Sequence, residues 1–483
     1  METHEYARYD AAGLRDLIRA GEVTAAEVET AARAALEWAD ARLNGLAMPV
    51  FDRALDHADD GPLSGVPFLI KDHGPVAEGV PFTIGSRALR GVVARHDTDV
   101  MKRFRAAGLA VLGVTTVPEM AVDFATESER YGVTRNPWDT GLGAGGSSGG
   151  AAALVAAGAV PVAHASDGAG SIRIPASCCG LVGLKPSRGR VTSGPDMGEP
   201  MFGMAYEFAL TRTVRDAALM LDAVEGPGVG DKYTAPPPLR PYASEPGADP
   251  GALRVAVTTG SWSGGGVDPE VAAAAVAAGA VLEGMGHRVE AGGPAVDWDD
   301  VLRAMLAQAV AVASTMLLAP RKPDPASLEG RTRRLLQEAR EASALDLIEG
   351  FHAQNRVSRA MGAFFTGCDL LVTPTLARLP APHGTLIHGE EPAVEERLRA
   401  IFDFAPFTMP FNVAGQPAIS LPLGWSAGGL PIGVQLVAPY GREDLLLRVA
   451  ARLEEALPWR DRTPAVSLAA GGRHPEDAER SLR

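Results

Sequence analysis

Short apolar segments of strand length alternate with helix-length segments along most of the chain, and this alternation restricts the fold more than any other feature. Residues 65–72, 110–114, 253–257 and 369–375 are nearly continuous apolar runs, typical of strands buried on both faces. In residues 11–41, apolar side chains instead recur at three- and four-residue spacing, which predicts two amphipathic helices. The sequence therefore predicts an α/β protein: one large α/β/α domain on a mixed, mostly parallel central sheet covered by helices on both faces.

The predicted domain spans residues 1–465. A chain of 483 residues is long for one domain, but single α/β domains often exceed the usual length of about 150 residues. The proline-rich stretch 235–250 is interpreted as a boundary between lobes of one sheet, because a strand–helix–strand segment follows it. Residues 466–483 are polar and are predicted to form a loose tail.

Charge and cysteine content narrow the range of partners and compartments. The formal net charge is −14 and no Lys/Arg-rich run is present, which disfavours nucleic acid and anionic membranes as partners. Cys178 and Cys179 are adjacent and Cys368 is distant, so neither a disulfide framework nor a CxxC pair is expected. Residues 1–10 do not resemble a signal peptide, and no apolar run approaches the ~20 residues that span a bilayer. These features predict a cytoplasmic location.

The glycine-rich segment 141–150 matches a dinucleotide-binding pattern through its glycine content. Gly141, Gly143 and Gly146 have the spacing G-x-G-x-x-G. That fingerprint must follow a strand, whereas the preceding residues 131–140 are rich in turn formers. A dinucleotide site is therefore disfavoured.

The same loop also matches G-x-S-x-G, the nucleophile elbow of serine esterases, at residues 146–150. An esterase would use Ser148 with a histidine later in the chain, for which His352, His383 and His388 are available. Ser148 could otherwise serve only to cap the helix that follows. A histidine-dependent esterase remains an alternative.

A lysine and two serine turns form a third candidate site. Lys71 ends a strand that is expected to be buried, and burial lowers the pKa of an amine because it disfavours the ammonium. A neutral lysine can accept a serine proton, with Ser147 as a relay to Ser171. An ion pair with Asp72 would instead keep Lys71 charged. The Gly-Ala-Gly-Ser turn before and at Ser171 offers unobstructed N–H groups for an oxyanion.

The chain resembles the amidase signature family from end to end. The residues that carry this resemblance are the lysine strand 65–72, the Gly-Gly-Ser-Ser-Gly-Gly loop 145–150, the segments 167–175 and 179–186, and Gly-Gln-Pro-Ala at 415–418. The resemblance implies an amidase-signature core at about 60–225 and a variable substrate-wall region at about 290–365.

The resemblance also implies roles for individual residues. Ser171 is the expected nucleophile, Ser147 the relay serine held after a cis peptide bond, and Lys71 the base. The expected oxyanion-hole N–H groups are those of Gly168, Ala169, Gly170 and Ser171, and Asp167 and Arg173 are expected to support the glycine loops. One departure is Ala169, because the family usually has two glycines before the nucleophile.

The expected reaction is hydrolysis of the C–N bond of a small linear or cyclic amide through a serine acyl-enzyme. Similarity is greatest to the branch that contains 6-aminohexanoate-cyclic-dimer hydrolase, which makes a cyclic-amide hydrolase a specific alternative. A subunit that supplies ammonia to a partner enzyme is another alternative. No metal or other cofactor is expected, His164 is interpreted as a core residue, and the sequence leaves a homodimer open.

Overall fold

The apolar runs of the sequence become strands at the centre of the molecule. The computed structural model describes residues 1–320, 322–386 and 391–469. Within these ranges, ten strands form one sheet and β3 and β4 form a separate pair. The strands are β1 (Pro67–Lys71), β2 (Ala110–Thr115), β3 (Glu127–Ser128), β4 (Gly132–Val133), β5 (Val162–Asp167), β6 (Val182–Lys185), β7 (Tyr206–Thr211), β8 (Arg254–Val257), β9 (Arg288–Ala291), β10 (Leu370–Pro374), β11 (Ala418–Trp425) and β12 (Pro431–Val437).

The sheet is mixed, as predicted, with the order β2-β1-β5-β7-β6-β11-β12-β10-β8-β9. Neighbouring strands are parallel in two groups at its ends, β2-β1-β5 and β10-β8-β9. Between β5 and β10 the neighbours are antiparallel. Because β1 and β5 are parallel neighbours, their carboxyl ends bring Lys71 and Asp167 to the same edge of the sheet.

Helices cover both faces of the sheet, which confirms the predicted α/β/α layers. Every residue of β1, β5 and β7 is buried, so both faces of the sheet are covered there; α5 packs against α6 and β5, and α7 packs against α14 and β7. The helices in the described ranges are α1 (Thr3–Tyr6), α2 (Ala11–Ala20), α3 (Ala25–Leu43), α4 (Asp99–Ala106), α5 (Gly149–Ala156), α6 (Arg173–Cys179), α7 (Val214–Val224), α8 (Pro269–Gly284), α9 (Trp298–Leu317), α10 (Gly330–Glu341), α11 (Ala344–Gly367), α12 (Val394–Phe404), α13 (Met409–Ala414) and α14 (Glu443–Ala456).

The two helices expected in residues 11–41 are α2 and α3, and their boundaries follow from local capping. The Asp10 side chain accepts the Gly13 N–H at 2.9 Å at the start of α2. At the start of α3, Thr24 Oγ1 accepts the Glu27 N–H at 3.2 Å, and the Glu27 carboxylate accepts the Thr24 N–H at 2.8 Å. This capping box satisfies two N–H groups that the helix itself leaves unpaired.

The region 290–365 forms α9, α10 and α11. Helix α9 is long and apolar enough to cross a membrane by length and composition, contrary to the expectation that no apolar run approaches that length. Of its most apolar window, 61% is buried inside the protein, where α9 packs against α10, α11 and α12. An apolar helix packed on several sides is typical of a protein core.

The predicted boundary at residue 465 is wrong, because the chain beyond it packs against the domain. The Val466 N–H donates to Pro137 O at 2.9 Å, and the Leu468 N–H donates to Ala157 O at 3.0 Å. The side chains of both residues are buried. The domain therefore extends through residue 469, and the remainder of the predicted tail lies outside the described residues.

Leu468→Ala should lower the free energy of unfolding by roughly 2 kcal/mol, because truncation of a buried leucine removes apolar contacts and leaves a cavity. Urea denaturation of the purified protein measures this difference. The matched control is Leu239→Ala, at a leucine that is 96% exposed, which should change stability by less than about 0.5 kcal/mol. Equal effects of the two substitutions would contradict the packing of residues 466–469.

Candidate active site

Lys71 lies at the carboxyl end of β1 and is buried with its amine among serine oxygens. Its Nζ lies 2.8 Å from Ser147 Oγ, 2.9 Å from Ser166 Oγ and 3.4 Å from Ser166 O. A neutral amine has two N–H bonds and one lone pair, and a carbonyl oxygen can only accept. Donation of both N–H bonds to Ser166 leaves the lone pair facing the Ser147 hydroxyl. Ser166, which the sequence did not single out, thus orients this amine.

Burial lowers the pKa of Lys71 to about 7, although the nearby Glu207 and Asp167 carboxylates oppose the shift. The alternative ion pair with Asp72 is not present among the described residues. The Asp72 carboxylate instead accepts from the Thr83 N–H and hydroxyl at 2.7 Å each, and from the Tyr131 hydroxyl at 2.7 Å. Near neutral pH, Lys71 is therefore able to accept a proton.

Ser147 lies in a glycine loop whose backbone is fixed on both sides of the serine. The Gly146–Ser147 peptide bond is cis, as the resemblance implied. A side chain at Gly146 would place its Cβ 2.8 Å from Asp123 O, so only glycine fits there. Thr126 Oγ1 donates to Gly145 O at 2.9 Å and accepts the Gly149 N–H at 3.0 Å. These contacts fix the position of the Ser147 hydroxyl beside Lys71.

Ser148 does not have the surroundings of an esterase nucleophile. It is the residue before α5, but its hydroxyl donates to Ser166 O at 3.3 Å and makes no helix-capping bond. Within the described residues no histidine is hydrogen-bonded to it: His352 is exposed beside Glu349, and His383 contacts Thr140 O. His388 lies outside the described residues.

The serine turn, residues 167–171, is organised by the Asp167 carboxylate at the end of β5. This carboxylate accepts the Gly170 N–H at 2.6 Å and the Ile172 N–H at 3.2 Å, and it is paired with Arg173 Nε at 2.9 Å. Burial by itself would raise the pKa of Asp167, but Arg173 and Asn412 outweigh it and lower the pKa to about 2. Asp167 is therefore ionised, and its carboxylate holds the backbone of the turn.

The carbonyl groups of the serine turn are held from outside the signature core. Gly168 O accepts from Gln308 Nε2 at 2.7 Å, and Ala169 O accepts from Thr408 Oγ1 at 2.6 Å. Both carbonyls are thereby fixed. The Gly170 N–H is bound to Asp167 and is not free to bind an oxyanion, so Gly170 is removed from the predicted oxyanion-hole donors. The N–H groups of Gly168, Ala169 and Ser171 make no hydrogen bond among the described residues.

Three more residues, which support Asp167 and Arg173, were missed by the sequence analysis: Thr408, Asn412 and Gln435. Arg173 Nη1 donates to Thr408 O and to Gln435 Oε1 at 2.8 Å each, and Asn412 Nδ2 donates to Asp167 Oδ1 at 2.8 Å. Thr408 and Asn412 are polar residues four apart in the apolar run 404–414. That spacing was the available signal for a polar face directed into the core.

A small cavity of about 50 Å³ opens onto Ser147 and Ser171. Its walls are mainly apolar, and the departure at Ala169 places a methyl group in this lining. The apolar walls are formed by Val122, Phe124, Met201, Met305, Val312, Leu398, Ile401 and Phe402, and the other polar lining residues are His73, Asp123, Ser166 and Gln308. In the described part of the chain, no cluster of His, Cys, Asp or Glu is placed to hold a metal ion.

The imidazole of His164 is buried, and that of His73 is half-buried. Burial lowers the pKa of His73 to about 4, and the charge of Lys71 contributes in the same direction. His164 is a core residue, as predicted: its Nε2 lies 2.8 Å from Glu207 Oε2, and burial lowers its pKa. Neither imidazole is placed to take a proton from Ser171. Among the described residues, the Lys71 amine is the titratable group within hydrogen-bond distance of the Ser147 hydroxyl.

Comparison with known proteins identifies the family of this chain. The family model described as Amidase matches residues 16–447. The chain is 40% identical to the 6-aminohexanoate-cyclic-dimer hydrolase of Paenarthrobacter ureafaciens, over 95% of this chain and 96% of that protein. It is also 40% identical to a putative amidase, AmiC, of Mycobacterium tuberculosis, over 93% and 95% of the two chains.

A solved structure of 6-aminohexanoate cyclic dimer hydrolase superposes on this chain with a TM-score of 0.88 and 38% sequence identity. The match covers 95% of this chain and 99% of that one. The chain belongs to the amidase signature family.

Proposed function

We propose that this chain hydrolyses the C–N bond of a small amide through an acyl-enzyme on Ser171, with Ser147 and Lys71 as the proton relay. The observation that carries the proposal is the buried Lys71 amine, 2.8 Å from Ser147 Oγ and with a pKa lowered to about 7. Activation of a serine requires a base that is unprotonated at working pH. Lys71 supplies that base where other serine hydrolases use histidine.

In the proposed first step, Ser171 Oγ forms a bond to the amide carbonyl carbon. Its proton passes to Ser147, whose own proton passes to Lys71 Nζ. The tetrahedral intermediate then collapses: the C–N bond breaks and the leaving nitrogen takes a proton back from Lys71 through Ser147. Water adds to the Ser171 ester and the relay accepts its proton; the C–O bond to Ser171 then breaks as the relay returns that proton to Ser171 Oγ, which releases a carboxylic acid and restores the free enzyme. The net reaction is amide plus water to acid plus amine or ammonia.

The N–H groups of Gly168, Ala169 and Ser171 are the proposed oxyanion donors. All three belong to the serine turn, and none is engaged by another group in the described residues. The neighbouring carbonyls point elsewhere because Gln308 and Thr408 bind them. Donors fixed before the reaction stabilise an oxyanion without further reorganisation.

The cavity supports an uncharged substrate. Its walls are mainly apolar, and the one carboxylate among its lining residues, Asp123, is already paired with Arg331 Nη1 at 2.8 Å. No lining residue is thus left with a free charge for a charged substrate group. The 40% identity to a cyclic-dimer hydrolase supports cyclic amides as a specific candidate class beside linear ones.

The relay needs no second chain, because Lys71, Ser147, Ser171 and the serine turn all lie in one chain. The 40% identity to a hydrolase over nearly the whole chain favours an independent hydrolase over a subunit that supplies ammonia to a partner. A homodimer stays compatible with the proposal. We place the reaction in the cytoplasm, which accords with the three unpaired cysteines.

Ser171→Ala should lower kcat/KM for amides at least about 10³-fold, because the acyl-enzyme cannot form. The measurement is turnover by the purified chain of primary amides, anilides and phenyl esters with acetyl, hexanoyl or benzoyl groups, and of cyclic amides. Ser148→Ala is the matched control and should retain most of the activity. Loss of activity in Ser148→Ala alone would overturn the mechanism in favour of the esterase alternative.

The rate should depend on the protonation of Lys71. Below a pH of about 7 the amine is protonated and has no lone pair for the Ser147 proton. The value of kcat/KM should therefore be level above that pH and fall about tenfold per pH unit below it. The pKa values of His73 and His164 are lowered, so these imidazoles do not account for a decline near 7. A flat profile between pH 5 and about 8 would contradict a lysine base.

Glu207→Gln provides a directional test of this assignment. The Glu207 carboxylate is the largest of the charges that raise the pKa of Lys71. Its removal should lower that pKa and move the acid limb of the kcat/KM profile to lower pH. A limb that stays in place, or moves to higher pH, would show that another group titrates.

A further inference from the structure

Gln308 links the variable substrate wall to the serine turn. It lies in the middle of α9, is 6% exposed, and lines the same cavity as Ser147 and Ser171. Its Nε2 donates to Gly168 O at 2.7 Å. Met305 and Val312, one turn away on either side along α9, line the same cavity. The glutamine is thus the polar member of an otherwise apolar wall that faces the reacting serine.

The contact with Gly168 determines how the Gln308 amide is oriented. A backbone carbonyl can only accept, so the amide atom next to Gly168 O must be the nitrogen. The remaining atom, Oε1, is an acceptor. In the described ranges no protein group donates a hydrogen bond to this oxygen, and the oxygen itself is not fully buried, so it is open to a ligand in the cavity.

The other polar side chains of the cavity already have partners. Asp123 is bound by Arg331 at 2.8 Å, and Ser166 Oγ lies 2.9 Å from Lys71 Nζ. His73 Nδ1 faces Ser166 Oγ at 3.4 Å, and Ser147 belongs to the relay. Gln308 Oε1 is the acceptor that is left for the substrate. An ester or a tertiary amide has no N–H to offer it, whereas a primary or secondary amide has.

We propose that Gln308 determines specificity for amides that carry an N–H: Oε1 accepts the hydrogen bond of the substrate N–H while Nε2 holds the serine turn. This inference rests on the proposed amidase function and adds the substrate class to it. A buried acceptor that loses its partner disfavours the analogue that lacks the donor, so the site selects primary and secondary amides over esters and tertiary amides.

The test compares one acyl group in three forms: the anilide, the N-methylanilide and the phenyl ester. Gln308→Met keeps the length of the side chain and removes both polar atoms. It should lower kcat/KM for the anilide about 10²-fold and for the ester about tenfold or less, so that the anilide-to-ester ratio falls about tenfold or more. It should also abolish the preference for the anilide over the N-methylanilide. Thr315→Ala, at an exposed position of the same helix outside the cavity lining, should leave these ratios unchanged.

Gln308→Glu separates the two contacts. It keeps an acceptor facing the substrate but loses the N–H that holds Gly168 O, so anilide and ester rates should fall by the same factor. Equal losses for both substrates in Gln308→Met would overturn the proposal and leave Gln308 with a positioning role only. If Gln308→Met does not fold by circular dichroism, a changed ratio in Gln308→Glu would overturn it instead.

Failure of the proposed function would look different. Wild type would then hydrolyse no anilide, or its activity would survive Ser171→Ala. In that case the Gln308 variants would have no amide rate to alter. With Ser171 essential and wild type active on the anilide, the ratios decide the role of Gln308 alone.

Discussion

The ion pair between Asp167 and Arg173 is the interaction on which the site depends. Both side chains are fully buried, and a buried pair is stable only when its remaining hydrogen-bonding groups are satisfied. All five N–H bonds of Arg173 have partners: two go to Asp167, one each to Gln435 and Asn412, and one to Thr408 O. The guanidinium thereby ties the ends of β5 and α6 to α13 and β12. Without this junction the serine turn has no fixed frame.

The same ion pair explains how a neutral lysine and an ionised carboxylate coexist nearby. The Asp167 charge by itself would favour the ammonium form of Lys71. Because Arg173 lies directly against Asp167, much of that field is cancelled and burial dominates at the amine. A lysine buried without a carboxylate partner costs folding free energy, so the fold gives up stability to keep Lys71 unprotonated near neutral pH. The burial that lowers the pKa of Lys71 is thus also what costs folding free energy at this position.

Local sequence was sufficient to group Lys71, Ser147 and Ser171 into one candidate site, because each belongs to a contiguous segment with an unusual residue pattern. A lysine ends an apolar strand, and glycine turns precede both serines. Spacing could not give the direction of individual peptide groups, which is why Gly170 was assigned as an oxyanion donor when its N–H binds Asp167. Thr408, Gln435 and Asn412, the other partners of Arg173, were missed because they lie more than 230 residues away in the chain.

The variable region was the least predictable part of the chain, and α9 shows why. Its apolar residues lie around more of the helix than those of α2, so its amphipathic period is weaker than the one that revealed α2. Yet α9 is bonded to the serine turn through Gln308 and Gly168. Its backbone must therefore stay in place while Met305 and Val312, one turn away on either side of Gln308, are free to change the shape of the cavity. Gln308 is thus a fixed polar contact with adjustable apolar neighbours, so the shape of the cavity can change without disturbing the proposed oxyanion donors.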